Sequence, residues 1–244
     1  MIEELLPDGV ASACVFEDLP ADADGALFPA ESAAVSKAVP RRQAEFRTVR
    51  GCARRALGEL GVPAVELLPG RRGATAWPPG ISGSMTHCPG FRAAAVARTQ
   101  HAASIGIDAE PNLPTPEVVL RSATLPPEHR AVTALSDHRP EIRWDRLLFS
   151  AKESVFKAWY PLMRRELEFY QAEIEIDPNA GTFTAQLLVP GPVVAGRRLD
   201  TFSGRWLVRR GLIVTAITLP GSPEEEAHEP TERQADGLAS PEER

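Results

Sequence analysis

The chain has 244 residues, 43% hydrophobic and 25% charged, enough to bury a sizeable core in one large domain or two small ones. Its net charge of -6 sits in one place: from Gly221 onward there are eight acids (Glu224, Glu225, Glu226, Glu229, Glu232, Asp236, Glu242, Glu243) and two arginines, so the rest of the chain is neutral. A neutral body with 6% aromatic residues is a poor footprint for nucleic acid, and no apolar run approaches the roughly 20 residues that span a bilayer.

The opening MIEELLPDGVASAC has acids where a signal peptide carries a basic region, so a soluble cytoplasmic protein is expected. SACVFEDL reads as a first strand. PRRQAEFRTVRGCARRALGELG, from Pro40 to Gly61, is the clearest helix. Its apolar residues Phe46, Val49, Ala53, Ala56, Leu57 and Leu60 recur at spacings of three and four, and Gly61 supplies a stop. Arg42, Arg47, Arg50, Arg54 and Arg55 are too many for one face, and some are expected simply to be solvated. Arg71–Gly73 read as a turn. AWPPGISGSMTHCPG, rich in Gly, Pro and Ser, reads as an ordered or functional loop.

FRAAAVAR and ASIGIDAE follow as strands. Pro114–Pro140 mixes prolines with the short helical pieces EVVLRSA and PEHRAVTAL. A second strong helix is expected from about Glu141 to Tyr160, with Pro161 ending or kinking it. AEIEID, GTFTAQLLV and SGRWLVRRGLIVTAITL alternate or carry β-formers and read as a final antiparallel sheet. Helices set against runs of strands with hairpin-length gaps make the expected fold class α+β. The expected organisation is an N-terminal half, 1–110, a C-terminal half, 111–220, and a disordered acidic tail, 221–244. That tail has prolines, no aromatic residue and one leucine, so it cannot bury a core. It serves either as a solubilising end or as an acidic mimic of nucleic acid. Cys14, Cys52 and Cys88 are an odd count with no close pairing, so buried free thiols are expected at Cys52 and Cys88 in place of a disulfide framework or a zinc site.

The chain uses 24 arginines and only three lysines, yet two of the three, Lys152 and Lys157, share a six-residue window. In FSAKESVFKAWYP, read as a helix, Phe149, Val155, Phe156, Trp159 and Leu162 supply the packed face. Glu153 and Lys157, at i and i+4, share another. Alone, that window reads as a surface ion pair of small energetic value. GIDAEP adds Asp108 and Glu110 at a strand end, pointing to one side. Two like charges there repel unless something positive lies between them. With Glu153 they would make one face of an octahedral Mg2+ site, the remaining positions going to water and phosphate oxygens. Lysines beside such a site suit phosphate. Ser84, Thr86 and His87 in GSMTHC offer hydroxyls, backbone N–H groups and an imidazole for a phosphate or an adenine edge; an ordinary strand-edge histidine is the alternative. Neither a P-loop nor a G-x-G-x-x-G fingerprint is present.

GIDAEP followed some forty residues later by FSAKESVFKAWYP resembles the signature pair of the 4′-phosphopantetheinyl transferases, roughly G-[IV]-D-x-E and then F-[ST]-x-K-E-[SA]-x-[FY]-K. RRQAEFRTVRGCARRALGELG and WPPGISGSMTHCPGFRAA resemble the larger, single-chain kind that activates siderophore, nonribosomal peptide and polyketide synthases. The resemblance covers about Pro40 to Pro161, with flanks to Leu219. It implies two similar α/β halves related by a pseudo-twofold axis, with coenzyme A in the cleft between them. It also implies transfer of the phosphopantetheine arm to a serine of an acyl or peptidyl carrier protein, leaving 3′,5′-ADP.

Carried over residue by residue, Asp108, Glu110 and Glu153 hold Mg2+ (or Mn2+ in its place), and Glu153 is also the general base. Lys157 neutralises the pyrophosphate, with Lys152 assisting. His87, Arg42 and Arg50 meet the 3′-phosphate, with Arg47 and Arg55 as the rival pair. Ser84 and Thr86 line the adenine site, where Arg71 and Arg72 occupy the region of a lysine common in the family. A monomer is expected, with no nucleic-acid or membrane partner, and the tail is expected not to help carrier binding. The alternative is a relative that binds coenzyme A or a carrier without transfer.

Overall fold

A computed structural model describes residues 1–20 and 26–222. From residue 223 on, the expected acidic tail lies outside the described residues. In chain order the elements are β1 (Val10–Val15), α1 (Pro29–Val35), α2 (Pro40–Glu59), β2 (Ile81–Cys88), β3 (Phe91–Arg98), β4 (Ala102–Pro111), α3 (Glu117–Ala123), α4 (Pro126–His138) and α5 (Trp144–Met163). They continue with β5 (Ala172–Asp177), β6 (Thr182–Leu187), β7 (Val193–Val194), β8 (Arg197–Arg198), β9 (Thr201–Arg209) and β10 (Leu212–Pro220). Antiparallel sheets run β1-β3-β2 and β4-β10-β9-β6-β5, with β7-β8 a small separate hairpin. The class is α+β. Among the described residues no helix is long and apolar enough to cross a membrane.

β4 pairs with β10 along its length, from Leu212↔Pro111 to Leu219↔Ser104. The two sheets therefore part ahead of β4, at residues 99–101, and not at the expected 110. The shift follows from ladder pairing: ASIGIDAE continues FRAAAVAR in sequence but takes its hydrogen bonds from the C-terminal strands.

α2 buries Cys52, Ala53, Ala56 and Leu57 on Ala94 and Val96 of β3. The other face of β3 (Phe91, Ala93, Ala95, Ala97) meets Ile105, Ile107 and Ala109 of β4, Leu212, Val214 and Ala216 of β10, and the N-terminal Ile2, Leu5 and Leu6. β3 is thus covered on both faces, which is why its sequence is an unbroken run of small apolar residues. α5 buries Trp144, Leu147, Leu148, Ala151, Val155 and Trp159 against Ile174, Phe183, Phe202 and Trp206 of the large sheet. Cys52 and Cys88 are buried free thiols, as expected, and burial pushes the Cys88 thiol up to about 12.

Two expectations change. GSMTHC is not a loop but most of strand β2. Its hydroxyls bond to β4: Ile107 N–H donates to Ser84 Oγ (3.1 Å), Ala109 N–H donates to Thr86 Oγ1 (3.1 Å), and Ser82 Oγ donates to Ala102 O (2.6 Å). β2 keeps a full antiparallel ladder with β3, and its hydroxyls make the bonds to β4, so the strand reads as polar. The second helix begins at Trp144 and runs through Pro161 to Met163. Pro161 lies in the last turn, where its missing N–H forfeits a single bond, and Arg164, at φ 53°, closes the helix by donating to Tyr160 O at 2.9 Å.

Where β4 crosses α5 the two backbones touch. A Cβ on Gly106 would lie 1.9 Å from Ser154 O and 2.8 Å from Ala158 N. Gly106→Ala should therefore cost about 1–3 kcal/mol, read as a lower urea midpoint at unchanged slope. An unchanged midpoint would show that β4 and α5 separate easily.

Candidate active site

The acids of β4 are read off in order by one face of α5. Gly106 faces Ser154 and Ala158, Asp108 faces Ser150, and Glu110 faces Arg146. Two residues of strand advance about 6.7 Å and four residues of helix about 6 Å, so the match holds over three positions. Asp108 Oδ2 accepts from Ser150 Oγ at 2.8 Å, and Oδ1 accepts from Lys157 Nζ at 2.7 Å and Thr86 Oγ1 at 3.4 Å. Lys157 also donates to Ile107 O at 3.0 Å. Glu110 Oε2 accepts from Arg146 Nη1 at 3.1 Å, while Arg146 Nη2 and Nε donate to Pro114 O and Leu113 O. The like charges of GIDAEP are thus each given a cation from α5: Lys157 for Asp108 and Arg146 for Glu110.

Glu153, one turn before Lys157, opens on a cleft of about 910 Å³. Burial, followed by the charge of Asp108, raises its carboxyl above the usual range against the opposing pull of Lys157. Glu110 is raised by burial and then by Asp108, with Arg146 and Lys157 opposing. The same cleft is lined by Arg42, Phe46 and Arg50 of α2, Ser84 and His87 of β2, and the turn Arg71–Gly73. Arg42 donates to Nε2 of His87, so the neutral ring carries its proton on Nδ1. Burial and then the Arg42 charge lower the His87 pKa, with Glu45 opposing.

The expected site residues are not all delivered alike. Arg42, Arg71, His87, Glu153 and Lys157 line the cleft. Arg50 lines it too, but its guanidinium stacks on Phe46 (3.2 Å to the ring centre), donates from Nε to Leu67 O at 2.8 Å, and is held by burial at about 10. The rival arginines Arg47 and Arg55 are absent from the cleft lining, and Arg47 donates to Leu19 O at 3.2 Å. Ser84 lines the cleft with its hydroxyl turned to β4; Thr86 lies behind, between Ala109 N and Asp108.

Lys152 points the other way. Its ammonium donates to Glu128 (2.8 Å), Phe169 O (2.8 Å) and Ala172 O (3.0 Å), which uses all three protons. It follows Ala151 on the buried side of α5, so its neighbour Glu153 faces the cleft while Lys152 enters the core. The expected phosphate contact is therefore replaced by a buried pair with α4.

Sequence reading missed Arg146, Ser150, Thr215 and Glu128. Arg146 and Ser150 stand seven and three residues before Glu153, close to the same helix face. Thr215 and Glu128 are brought in only by tertiary contact. Among the described residues no three carboxylate, histidine or cysteine groups converge as a metal cluster in this conformation.

Glu153 and Lys157 of α5, Arg42 of α2 and His87 of β2 thus line one cleft of an α+β fold, a carboxylate among several cationic or polar side chains. Residues 30–97 match the family model "4′-phosphopantetheinyl transferase N-terminal domain", and residues 104–200 match "4′-phosphopantetheinyl transferase superfamily". The chain is 58% identical over 237 residues to 4′-phosphopantetheinyl transferase Svp of Streptomyces mobaraensis, covering 96% of each. It is 47% identical to 4′-phosphopantetheinyl transferase Npt of Nocardia iowensis (89% of this chain, 99% of that one). It is 40% identical to 4′-phosphopantetheinyl transferase PptT of Mycobacterium tuberculosis (90% and 98%). The chain belongs to the 4′-phosphopantetheinyl transferase superfamily and is a transferase of that kind.

Proposed function

We propose that coenzyme A occupies the cleft, between two similar halves related by a pseudo-twofold axis, and that its phosphopantetheine arm passes to a serine of an apo acyl or peptidyl carrier protein. The observation that carries this reading is that Glu153, Lys157, Arg42 and His87 line one cleft, with Asp108 buried behind it and paired with Lys157, in a chain of this family. The carrier serine oxygen forms the new O–P bond as the pyrophosphate P–O bond breaks. Glu153 takes the serine proton, and 3′,5′-ADP leaves with its new charge next to Lys157. The same reading has a monomer working in the cytoplasm.

The residues fit a divalent ion by their chemistry. Asp108, Glu110 and Glu153 are hard-oxygen donors, and two of them are pushed up by burial and by Asp108's charge, a crowding that a cation relieves. These three would hold Mg2+, or Mn2+ in its place. When bound, the ion neutralises pyrophosphate charge. Within the chain, Arg146 holds Glu110 and Lys157 holds Asp108 in place through their ion pairs. Arg42 and His87 would receive the 3′-phosphate and Arg71 the adenine side, a reading supported by all three lining the cleft.

Intact mass spectrometry of an apo carrier protein incubated with this protein, coenzyme A and Mg2+ tests the reading. A gain of one phosphopantetheine arm that disappears with EDTA is expected. Bound coenzyme A with no gain on any carrier type would reduce the chain to a binding protein.

The 3′-phosphate assignment has its own signature. His87 is held neutral in the free protein, and a phosphate dianion beside it favours its proton, so binding should take up a proton. Coenzyme A affinity should therefore rise as pH falls from about 8 toward 6.5, before the phosphate itself protonates near pH 6. Calorimetry in buffers of different ionisation enthalpy reads this uptake. His87→Gln should flatten the profile, and an unchanged profile would remove His87 from the phosphate site.

A further inference from the structure

Beneath Asp108 lies a chain of hydroxyls that the transfer reaction does not call on directly. Ser150 Oγ donates to Asp108 Oδ2 at 2.8 Å and lies 3.0 Å from Thr215 Oγ1. Thr215 Oγ1 donates to Ser150 O at 3.0 Å and lies 2.6 Å from Ser154 Oγ. Ser150, Ser154 and Thr215 are each 0% exposed, and Thr215 stands directly opposite Asp108 in the β4–β10 ladder. The network has one direction. An ionised carboxylate can only accept, so the single proton of Ser150 goes to Asp108. The one proton of Thr215 goes to Ser150 O, so Thr215 holds the backbone of the residue whose hydroxyl holds Asp108, and Ser154 Oγ is left to donate to Thr215 Oγ1.

We propose that Ser150, backed by Thr215, is a positioning residue for Asp108. The relay pins Oδ2 against the helix and so turns Oδ1 toward Lys157 and the cleft, in the orientation the reaction uses. Without it, the carboxylate keeps its charge but loses its fixed plane. The proposal rests on the reading of Asp108 as a metal ligand of the transferase.

Thr215 offers the cleaner test because, although it pairs with Asp108 across the ladder, its hydroxyl bonds to Ser150 and Ser154 and not to the Asp108 carboxylate. Thr215→Val keeps the shape and removes the hydroxyl; Thr215→Ser keeps the hydroxyl and removes a methyl. Two readouts apply: kcat on an apo carrier protein, and calorimetric titration of Mg2+ into the protein–coenzyme A complex. Thr215→Val should lower kcat and weaken Mg2+ binding by about 10-fold or more, the scale of partners that orient a ligand, while Thr215→Ser stays near wild type. The KM for coenzyme A should hold in both. A purely structural role predicts losses of kcat that follow the melting temperature while Mg2+ affinity of the folded variant holds, and that pattern, or two wild-type-like variants, would overturn the proposal. Ser150→Ala should match or exceed Thr215→Val; if it does not fold, the Thr215 pair decides alone. Asp108→Asn separates the two levels. Full turnover there would remove the metal-ligand reading itself. An inactive Asp108→Asn beside an unimpaired Thr215→Val would remove only the relay.

Discussion

Glu153→Gln is expected to lower the transfer rate by about 10²- to 10⁴-fold while coenzyme A still binds, because it deletes the proton acceptor and leaves the cleft's cations in place. The amide keeps the shape of the side chain, so the effect should fall on kcat and not on KM. The fold should not suffer. Burial and the Asp108 charge raise the Glu153 carboxyl, so its stabilising contribution is present below the unfolded pKa and lost as pH rises through the folded one. As pH rises the wild type acquires a crowded charge that the amide never carries. Thermal melting near pH 7 should thus place Glu153→Gln at or above wild type. A variant that loses activity only in step with its melting temperature would mean that Glu153 is structural; wild-type turnover would remove it as the base.

Lys152→Met carries the largest expected stability loss. The Lys152 and Glu128 side chains are 2% and 1% exposed, and the carboxylate also accepts from Leu125 N at 2.7 Å and Ile174 N at 2.7 Å. Burial lowers the Lys152 pKa, and Glu128 opposes that shift. Removing the ammonium strands an uncompensated carboxylate between α4, α5 and β5, at a cost of about 3–5 kcal/mol. Denaturant unfolding would read this as a lower midpoint, and Lys152→Met with Glu128→Gln should recover part of it. A phosphate-binding lysine would behave otherwise, raising the KM for coenzyme A with little change in stability.

Lys152 marks where sequence reading stops. The lysine pair in one window pointed to a site, and Lys157 with Glu153 does line the cleft. Periodicity places Lys152 next to them but cannot supply Glu128, which is 24 positions away and on another helix. Asp108 and Glu110 were legible because strand alternation fixes their side, and α5 because its apolar positions recur. Arg146 and Ser150 were not, since their task comes from the match of strand and helix rise, a property of two elements packed together. β2 was misread for a related reason. A strand that adds hydroxyl bonds to one neighbour while pairing its backbone with another has the composition of a loop, and only those neighbours reveal it. The break at residues 99–101 was hidden in the same way, because β3 and β4 are both small and apolar and differ only in the sheet each joins.

One consequence concerns modularity. Two family models divide the chain near the turn where the sheets part, which suggests two separable pieces. The cluster joining Phe91, Ala93 and Ala95 to Ile105, Ile107, Val214 and the N-terminal Ile2 and Leu5 belongs to neither piece alone. Each half expressed by itself would turn an apolar sheet face to water and associate with whatever covers it. The chain should therefore tolerate a nick at that turn, with both fragments still docked, far better than it tolerates separation of the fragments.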